Sequence, residues 1–441
     1  MAESNLSNLT GKISPLKGFP FALQQVLAMF VTNLVPVVTI AAVAGMDSTT
    51  ALALVQNAMM IAGLATFIQS TPIWKFGSGL PIFMGVSFTF MIPLSAIAAR
   101  NGYGAVMGAV IAGGCFEGIL GLTAQYWKKI IAPIVAATVV TGIGLSLLGT
   151  AARSFGGGYA EDFGAVHYMV SGTVTVLACI LWQVFTRGTI RQLSMLVGLV
   201  AGYLTAAIFG KIEFPDFSSV SWFALPTILP FKPEFHLEDL LTVAIIYLVS
   251  ATETIGDASA IARGALKRPV ETKEITGALT VDGFGSAIAG VFGSTPVTTY
   301  SENVGLTIMT GVINRNVARI GAAILIVCGL FPPIGYFFQT VPSSVIGGML
   351  LVVMGQIVIS GCQMIADAGF TVRNKLIASL AIATGVGFTT STEAGIWSSF
   401  PVLIQSIFAQ NIVAIIFFMS FFLNLVLPKD MEEKEDKSGA K

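Results

Sequence analysis

The chain has 441 residues, 54% of them hydrophobic and 10% charged, and its 23 basic and 23 acidic side chains give a formal net charge of zero. A mean hydropathy of +0.83 exceeds what a soluble core can bury, since soluble domains carry about 25% charged residues; so much apolar surface calls for lipid as solvent. The charge balance excludes a basic nucleic-acid binder, and apolar runs recurring from Phe19 to Leu427 exclude a soluble α/β barrel.

The first 18 residues are polar and read as a tail. The run after them is too long for a signal-peptide core and has no clear cleavage site, so it is expected to be a retained span. Apolar runs bounded by charges, Pro or Gly clusters predict spans near 19–45, 51–71, 81–98, 103–124, 130–150, 168–186 and 192–210. A second set follows near 239–260, 275–293, 297–312, 317–338, 343–365, 376–390 and 400–427. The expected fold class is therefore an all-α polytopic membrane protein of about fourteen spans.

Alternating the loops between two sides separates the charges. One side collects Lys75, Lys128, Lys129, Arg187, Arg191, Arg263, Lys267, Arg268, Lys273, Arg315, Arg319, Arg373, Lys375 and both tails. The other has Arg100, Arg153, Lys211 and Lys232 among acids such as Asp47, Glu161, Asp162, Glu213, Asp216, Glu234, Glu238 and Asp239. Basic loops stay cytoplasmic, so an even span count, with both termini on the cytoplasmic side of the cell membrane, is expected. The acidic residues from Asp430 to Asp436 read as a solvated end without assigned function.

The longest polar interruption, Lys211 to Asp239, contains Pro215, Pro226, Pro230 and Pro233 and divides the chain into halves of seven spans. An odd number per half inverts one against the other, the geometry of alternating-access transporters. The third span of each half is short and broken. Gly77, Gly79 and Pro81 lead into GLPIFMGVSFTF, which holds Ser87 and Phe88, and Gly293, Pro296, Gly305 and Gly311 punctuate GSTPVTTYSENVGLTIMTG. The β-branched Val297, Thr298 and Thr299 suit an extended stretch before a half-helix. Irregular backbone at membrane depth must face protein or a water-filled cavity, so these two segments point to a binding site.

Five acids fall within spans: Glu117, Glu253, Asp257, Asp282 and Glu302. A charged side chain at the bilayer centre costs about 2.5 kcal/mol or more, so each needs a reason. Glu253 and Asp257 are four apart and share a helix face, close enough that their repulsion favours retention of a proton; alternatively Asp257 caps a helix or pairs with Arg263. Glu302 and Asn303 stand where a half-helix N-terminus presents amide N–H groups that suit the carbonyls of an amide-rich heterocycle, while a carboxylate accepts its ring N–H groups. The alternative for Glu302 is a capping acid. Asp282 is assigned coupling or helix bridging, and Glu117, without a motif, is assigned packing.

Phe88 and Tyr300 could stack on a planar ligand, although aromatics in spans commonly only pack. His167 and His236 fall in expected extracellular loops. The isolated Cys115, Cys179, Cys328 and Cys362 read as small buried hydrophobes. Metal-ligand spacing, a P-loop, catalytic triads and dinucleotide fingerprints are all missing from their required contexts, which excludes ATP-driven pumping by this chain and points away from an enzyme.

The segment ENVGLTIMTG, Glu302 to Gly311, resembles the signature of the nucleobase-ascorbate transporters, the xanthine/uracil permeases: Glu302, Asn303, Gly305, Thr310 and Gly311 fill its defined positions. The resemblance extends to ATETIGD around Glu253, VDGFGSAIAG around Asp282, LPIFMGVSF ending at Phe88 and ALQQVLAMF in the first span. It implies a seven-plus-seven inverted repeat with short antiparallel strands in spans 3 and 10. It also implies a core domain (19–124 and 239–338), a gate domain (128–211 and 343–427) between tails 1–18 and 428–441, homodimers through the gate, and proton symport. Glu253 and Glu302 would hold a base by their side chains, the backbone at Phe88 and Ser301 would meet its carbonyl edge, Tyr300 would lie close by, and Asp282 and Asp257 would serve coupling. Gln25 stands where many members have His, a departure from the family pattern at a polar site position. Asp257 follows the purine members, giving a lean toward xanthine or urate; Glu at the first signature position is also familiar from uracil carriers. Proton is the expected coupling ion, sodium stays open, and no other cofactor is implied. The rival readings are a uracil permease, an anion or sulfate-type carrier, and a channel or structural membrane protein.

Overall fold

A computed structural model describes residues 5–30, 32–127, 132–158, 160–212, 221–390, 395–409 and 411–428. Lys128, Lys129, Glu213, Pro215, Asp216 and the acidic tail lie outside the described residues. The first half comprises α1 (Pro15–Phe30), α2 (Val35–Val43), α3 (Ser48–Ser70), β1 (Met84–Val86), α4 (Met91–Leu122), α5 (Pro133–Phe155), α6 (Val166–Phe185) and α7 (Ser194–Ile208). The second comprises α8 (Leu237–Gly264), α9 (Thr272–Val291), β2 (Val297–Thr299), α10 (Ser301–Thr310), α11 (Arg315–Gly329), α12 (Ser343–Asp367), α13 (Val372–Thr390), α14 (Val402–Phe408) and α15 (Ile412–Val426).

Polar caps set several starts. Asp47 accepts from the amides of Thr49 and Thr50 ahead of α3, Asn314 from Asn316 ahead of α11, and Asn411 from Ala414 ahead of α15. Glu271 and Glu274 form a reciprocal capping box at α9. Among the described residues, seven segments are long and apolar enough to cross a bilayer, and the remaining crossings are composite or short. The expected first span, 19–45, is two helices, α1 and α2. The expected spans 3 and 4 run together as α4 through a break at Gly102, whose φ of 78° is open to glycine. Span 11 ends in a separate helix, Pro332–Gln339, and the last span is split into α14 and α15. The break at Gly102 falls in the gap expected between spans 3 and 4, whereas apolar periodicity, which marks lipid and core contact, does not mark the other interruptions. His167, expected in a loop, stands in the first turn of α6.

Packing reveals an internal symmetry. If span n of the first half corresponds to span n + 7, the contact of α3 with α11 should match that of α9 with the 103–122 arm of α4, and both exist. Likewise α6 packs on α7 as α13 on α15, α6 on α12 as α13 on α5, and α5 on α12 joins the equivalent pair itself. The two strands, from spans 3 and 10, pair antiparallel, Met84 opposite Thr299 and Val86 opposite Val297. Ser87 N–H donates to Pro296 O and Tyr300 N–H to Phe83 O, both at 3.0 Å, which closes the ribbon symmetrically at its two ends.

The seam between α4 and α9 is built from glycines. A Cβ on Gly283 would stand 2.0 Å from Gly118 N, and one on Gly114 2.4 Å from Ala287 N. Small residues of this kind let membrane helices touch backbone to backbone. Outside, α6 exposes Leu177, Ile180, Leu181, Val184 and Phe185, an apolar face suited to lipid or another membrane surface.

Loops assigned to one side meet each other. Arg100 Nη2 reaches Asp239 Oδ1 at 2.9 Å, while Thr280 Oγ1 donates to Lys75 O at 2.5 Å. At the latter end Asn314 Nδ2 donates to the carbonyls of Asn5, Asn8 and Gly11, and Arg373 Nη2 donates to Asn424 O. The described N-terminal residues therefore meet the end of the molecule that carries Lys75 and Arg315, and the end of the last helix meets Arg373.

Candidate functional site at two broken spans

The strands bring two half-helices nose to nose. After β1 a 3₁₀ turn, Phe88–Phe90, leads into α4; after β2 the chain enters α10 at Ser301, so two helix starts open toward the same space. Unpaired N–H groups and the positive ends of the helix dipoles suit carbonyl or anionic acceptors. The strands are held from both sides by buried side chains. Thr66 Oγ1 accepts from Met84 N at 2.9 Å and Ser286 Oγ from Val297 N at 3.1 Å. At the third strand residues, Asn33 Oδ1 accepts from Val86 N at 2.6 Å and Asp282 Oδ1 from Thr299 N at 3.0 Å.

Between the helix starts lies a cavity of about 40 Å³ lined by Val86, Ser87, Phe88, Thr89, Ile143, Glu253, Thr298, Thr299, Tyr300, Ser301, Glu302 and Ile357. Thr89 Oγ1 donates to Glu253 Oε2 at 3.2 Å, and Ser301 Oγ stands 3.3 Å from Glu253 Oε1. The same Ser301 hydroxyl is 3.0 Å from both Asp257 oxygens, and Thr299 Oγ1 donates to Asp257 Oδ2 at 2.7 Å. Asp257 thus turns toward the strand instead of capping its helix or meeting Arg263. Glu302 lies in the first turn of α10 beside Thr32.

Of the residues singled out in the sequence, Ser87, Phe88, Glu253, Tyr300, Ser301 and Glu302 line the cavity together. Asp257 stands behind them, and Asp282 deeper, bonded to Thr254 Oγ1 and Thr299 N. Asn303 and Gln25 pair away from the cavity lining: Asn303 Nδ2 donates to Gln25 Oε1 at 2.7 Å, and Gln25 Nε2 to Thr307 Oγ1 at 3.2 Å. Sequence reasoning missed Thr89 and Thr254, whose signal was their place directly beside Phe88 and Glu253. It also missed Ile143 and Ile357, which no sequence pattern separates from other apolar residues in α5 and α12. Among the described residues no group of three His, Cys, Asp or Glu is arranged to hold a metal.

The model of the Permease family, Xan_ur_permease, matches residues 16–394. The chain belongs to this permease family. It is 30% identical to the xanthine permease XanQ of Escherichia coli (strain K12), over 92% of this chain and 90% of XanQ. It is 28% identical to the uric acid permease PucJ of Bacillus subtilis (strain 168), over 95% of each chain. To the putative purine permease CPE0397 of Clostridium perfringens it is 29% identical, over 89% of this chain and 86% of that one. Among solved structures, the transmembrane domain of the cyanobacterium bicarbonate transporter BicA superposes with a TM-score of 0.61 at 16% identity, covering 89% of this permease and 97% of that chain. SLC26A9 follows with 0.60 at 11% identity, covering 91% and 65%. At these identities the likeness concerns fold alone, and with the internal contact symmetry it makes the permease a seven-plus-seven inverted repeat with two short strands.

Proposed function

We propose that this permease imports a nucleobase, with xanthine or uric acid favoured, by proton symport through alternating access. One observation carries the reading: two half-helix starts and two carboxyls, Glu253 and Glu302, border one small cavity. Carboxylates accept ring N–H groups, while the backbone N–H groups of Phe88 and Ser301 suit ring carbonyls; Phe88 and Tyr300 supply flat faces. A neutral heterocycle satisfies all of these groups, whereas a small anion would meet two acids. The anion-carrier reading therefore rests on fold likeness only.

The cavity, about 40 Å³, is room for a few waters, where ligand pockets generally span about 300–1,000 Å³. Ile143 of α5 and Ile357 of α12 close it. Substrate entry then requires α5–α7 and α12–α15, the gate, to separate from α1–α4 and α8–α11, the core. The basic end faces the cytoplasm of a cell membrane, with both termini there, and two copies join through the gate. Glu253 and Asp257, with Asp282 behind them, carry the coupling proton; Asn303 and Gln25 brace α10 against α1.

Uptake of labelled xanthine in a host lacking nucleobase permeases tests this. Saturable accumulation abolished by a protonophore and competed by xanthine and urate better than by uracil is expected. Preferential competition by uracil makes this a uracil permease instead, and uptake that neither saturates nor responds to the protonophore overturns symport altogether.

A further inference from the structure

Glu117, on α4, is fully buried, and neither of its carboxyl oxygens has a hydrogen-bond partner. The carboxyl lies against Asp282 and Ser250; Glu117 and Asp282 are both acceptors when ionised, so a hydrogen bond between them needs a proton on one of the two. The glycine seam brings the backbones together: a Cβ on Gly283 would stand 2.6 Å from the Glu117 carbonyl carbon. An ionised carboxylate so placed, with no donor, would cost several kcal/mol. A protonated one has an O–H to give, and the acceptor beside it is Asp282, already oriented by Thr299 N–H and Thr254 Oγ1–H.

Asp282 is connected to the cavity. Glu253 and Asp257 both contact the Ser301 hydroxyl; Thr299 Oγ1 donates to Asp257; Thr254 Oγ1 lies 3.4 Å from Thr299 Oγ1 and donates to Asp282. Carboxyls and hydroxyls thus form one connected line from the cavity wall to Glu117. The titratable groups that face Glu117 are Tyr247 and Glu253 of α8 and Asp282 of α9, with Cys115 on its own helix near Tyr247. The packed α2 and the turn 88–90 carry none, and helix 124–127 carries only the exposed Tyr126. Arg263 and Lys273 stand at the ends of α8 and α9.

We propose that Glu117 and Asp282 share one proton and form the inner terminus of a relay beginning at Glu253, which stores the coupling proton away from the bound substrate. The proposal rests on the symport reading above. A proton from cavity water reaches Glu253. As an O–H bond breaks there, each hydroxyl along the relay, and the Asp257 carboxyl between Ser301 and Thr299, accepts one proton and releases one, and an O–H bond forms at Asp282. The pair passes from one negative charge to none, and the groups between end with the same number of protons they began with. Protonated Asp282 accepts less strongly from Thr299 N–H, which loosens the strand that leads into Ser301 and Glu302.

The test uses purified full-length protein in proteoliposomes with labelled xanthine, and infrared spectroscopy of the same protein. In Glu117→Gln the absorption of a protonated carboxyl present in the wild type is lost, and proton-driven accumulation is lost, while exchange of internal for external xanthine persists. Thr254→Val, which breaks the relay by removing the hydroxyl that donates to Asp282 while keeping every carboxyl, also loses accumulation and keeps exchange; Thr254→Ser restores it. Wild-type accumulation with an unchanged pH profile in Glu117→Gln, or an unchanged carboxyl band, overturns the proposal. Should Glu117→Gln fail to reach the membrane, equal accumulation by Thr254→Val and Thr254→Ser overturns it. Failure of the wild type itself to accumulate xanthine against a gradient counts against the symport reading instead.

Discussion

Ser301 has one hydroxyl proton and two carboxyl neighbours, Glu253 at 3.3 Å and Asp257 at 3.0 Å. One donor cannot serve both acids fully, so the pair is poised to take a proton or the N–H edge of a ligand. Glu253→Gln keeps shape and removes the acid; uptake assays should show loss of accumulation with normal membrane insertion, and wild-type accumulation would remove Glu253 from the mechanism. Asp282→Asn tests bridging separately. The amide can turn a donor toward the Thr299 N–H, and a buried donor left without its acceptor costs about 1–3 kcal/mol. The expected result is a lower melting temperature of the detergent-purified protein. The acids of this site were legible in the sequence because charge within an apolar span is expensive. The hydroxyls between them were not, since Ser and Thr are inexpensive in helices and carry the same signal whether they bridge two carboxyls or bond their own backbone.

At the scale of elements, the start of α9 and its seam with α4 decide where Asp282 points. Glu271 and Glu274 cap the helix reciprocally, and Arg268 Nη1 donates to Glu274 Oε2 at 2.8 Å. Lys273, donating to the Glu271 carboxylate, holds that carboxyl below its ordinary value of 4.5, with Arg268 adding to the effect. A carboxyl lowered in the folded state contributes stability above its unfolded value and loses it as pH falls through the lowered one. Melting curves against pH should therefore show a shallower acid limb in Glu271→Gln. Along the seam, Gly283→Ala drives a methyl into the backbone of Gly118 and should destabilise the fold by about 1–3 kcal/mol; a melting temperature equal to wild type would mean the helices part more easily than their spacing suggests. Helix count and the two broken segments could be read from apolar runs and Gly–Pro punctuation. The break at Gly102 falls at the boundary expected between spans 3 and 4; those at Val35 and Asn411 could not be read, because each lies inside a stretch whose apolar residues resume within a few positions.

For the whole molecule, inversion of one half against the other places equivalent elements on opposite faces of the membrane, so a site at their junction can open to either side by similar movements. Ser87 lines the cavity and is buried at 6% exposure, closed over by Ile143 and Ile357 from the neighbouring helices. In a chain with Cys115, Cys179, Cys328 and Cys362 replaced, a Ser87→Cys thiol should react with a membrane-impermeant reagent only as the cavity opens. Under alternating access, sealed vesicles of either orientation should label, conditions that favour labelling from one face should suppress it from the other, and xanthine should protect in both. A channel makes a different demand: its site is reached from both faces at once, so one treatment would raise or lower the two rates together. Opposed rates follow only if separation of the gate from the core on one side tightens their contact on the other, which two half-helices joined by a two-stranded ribbon can do without breaking that ribbon.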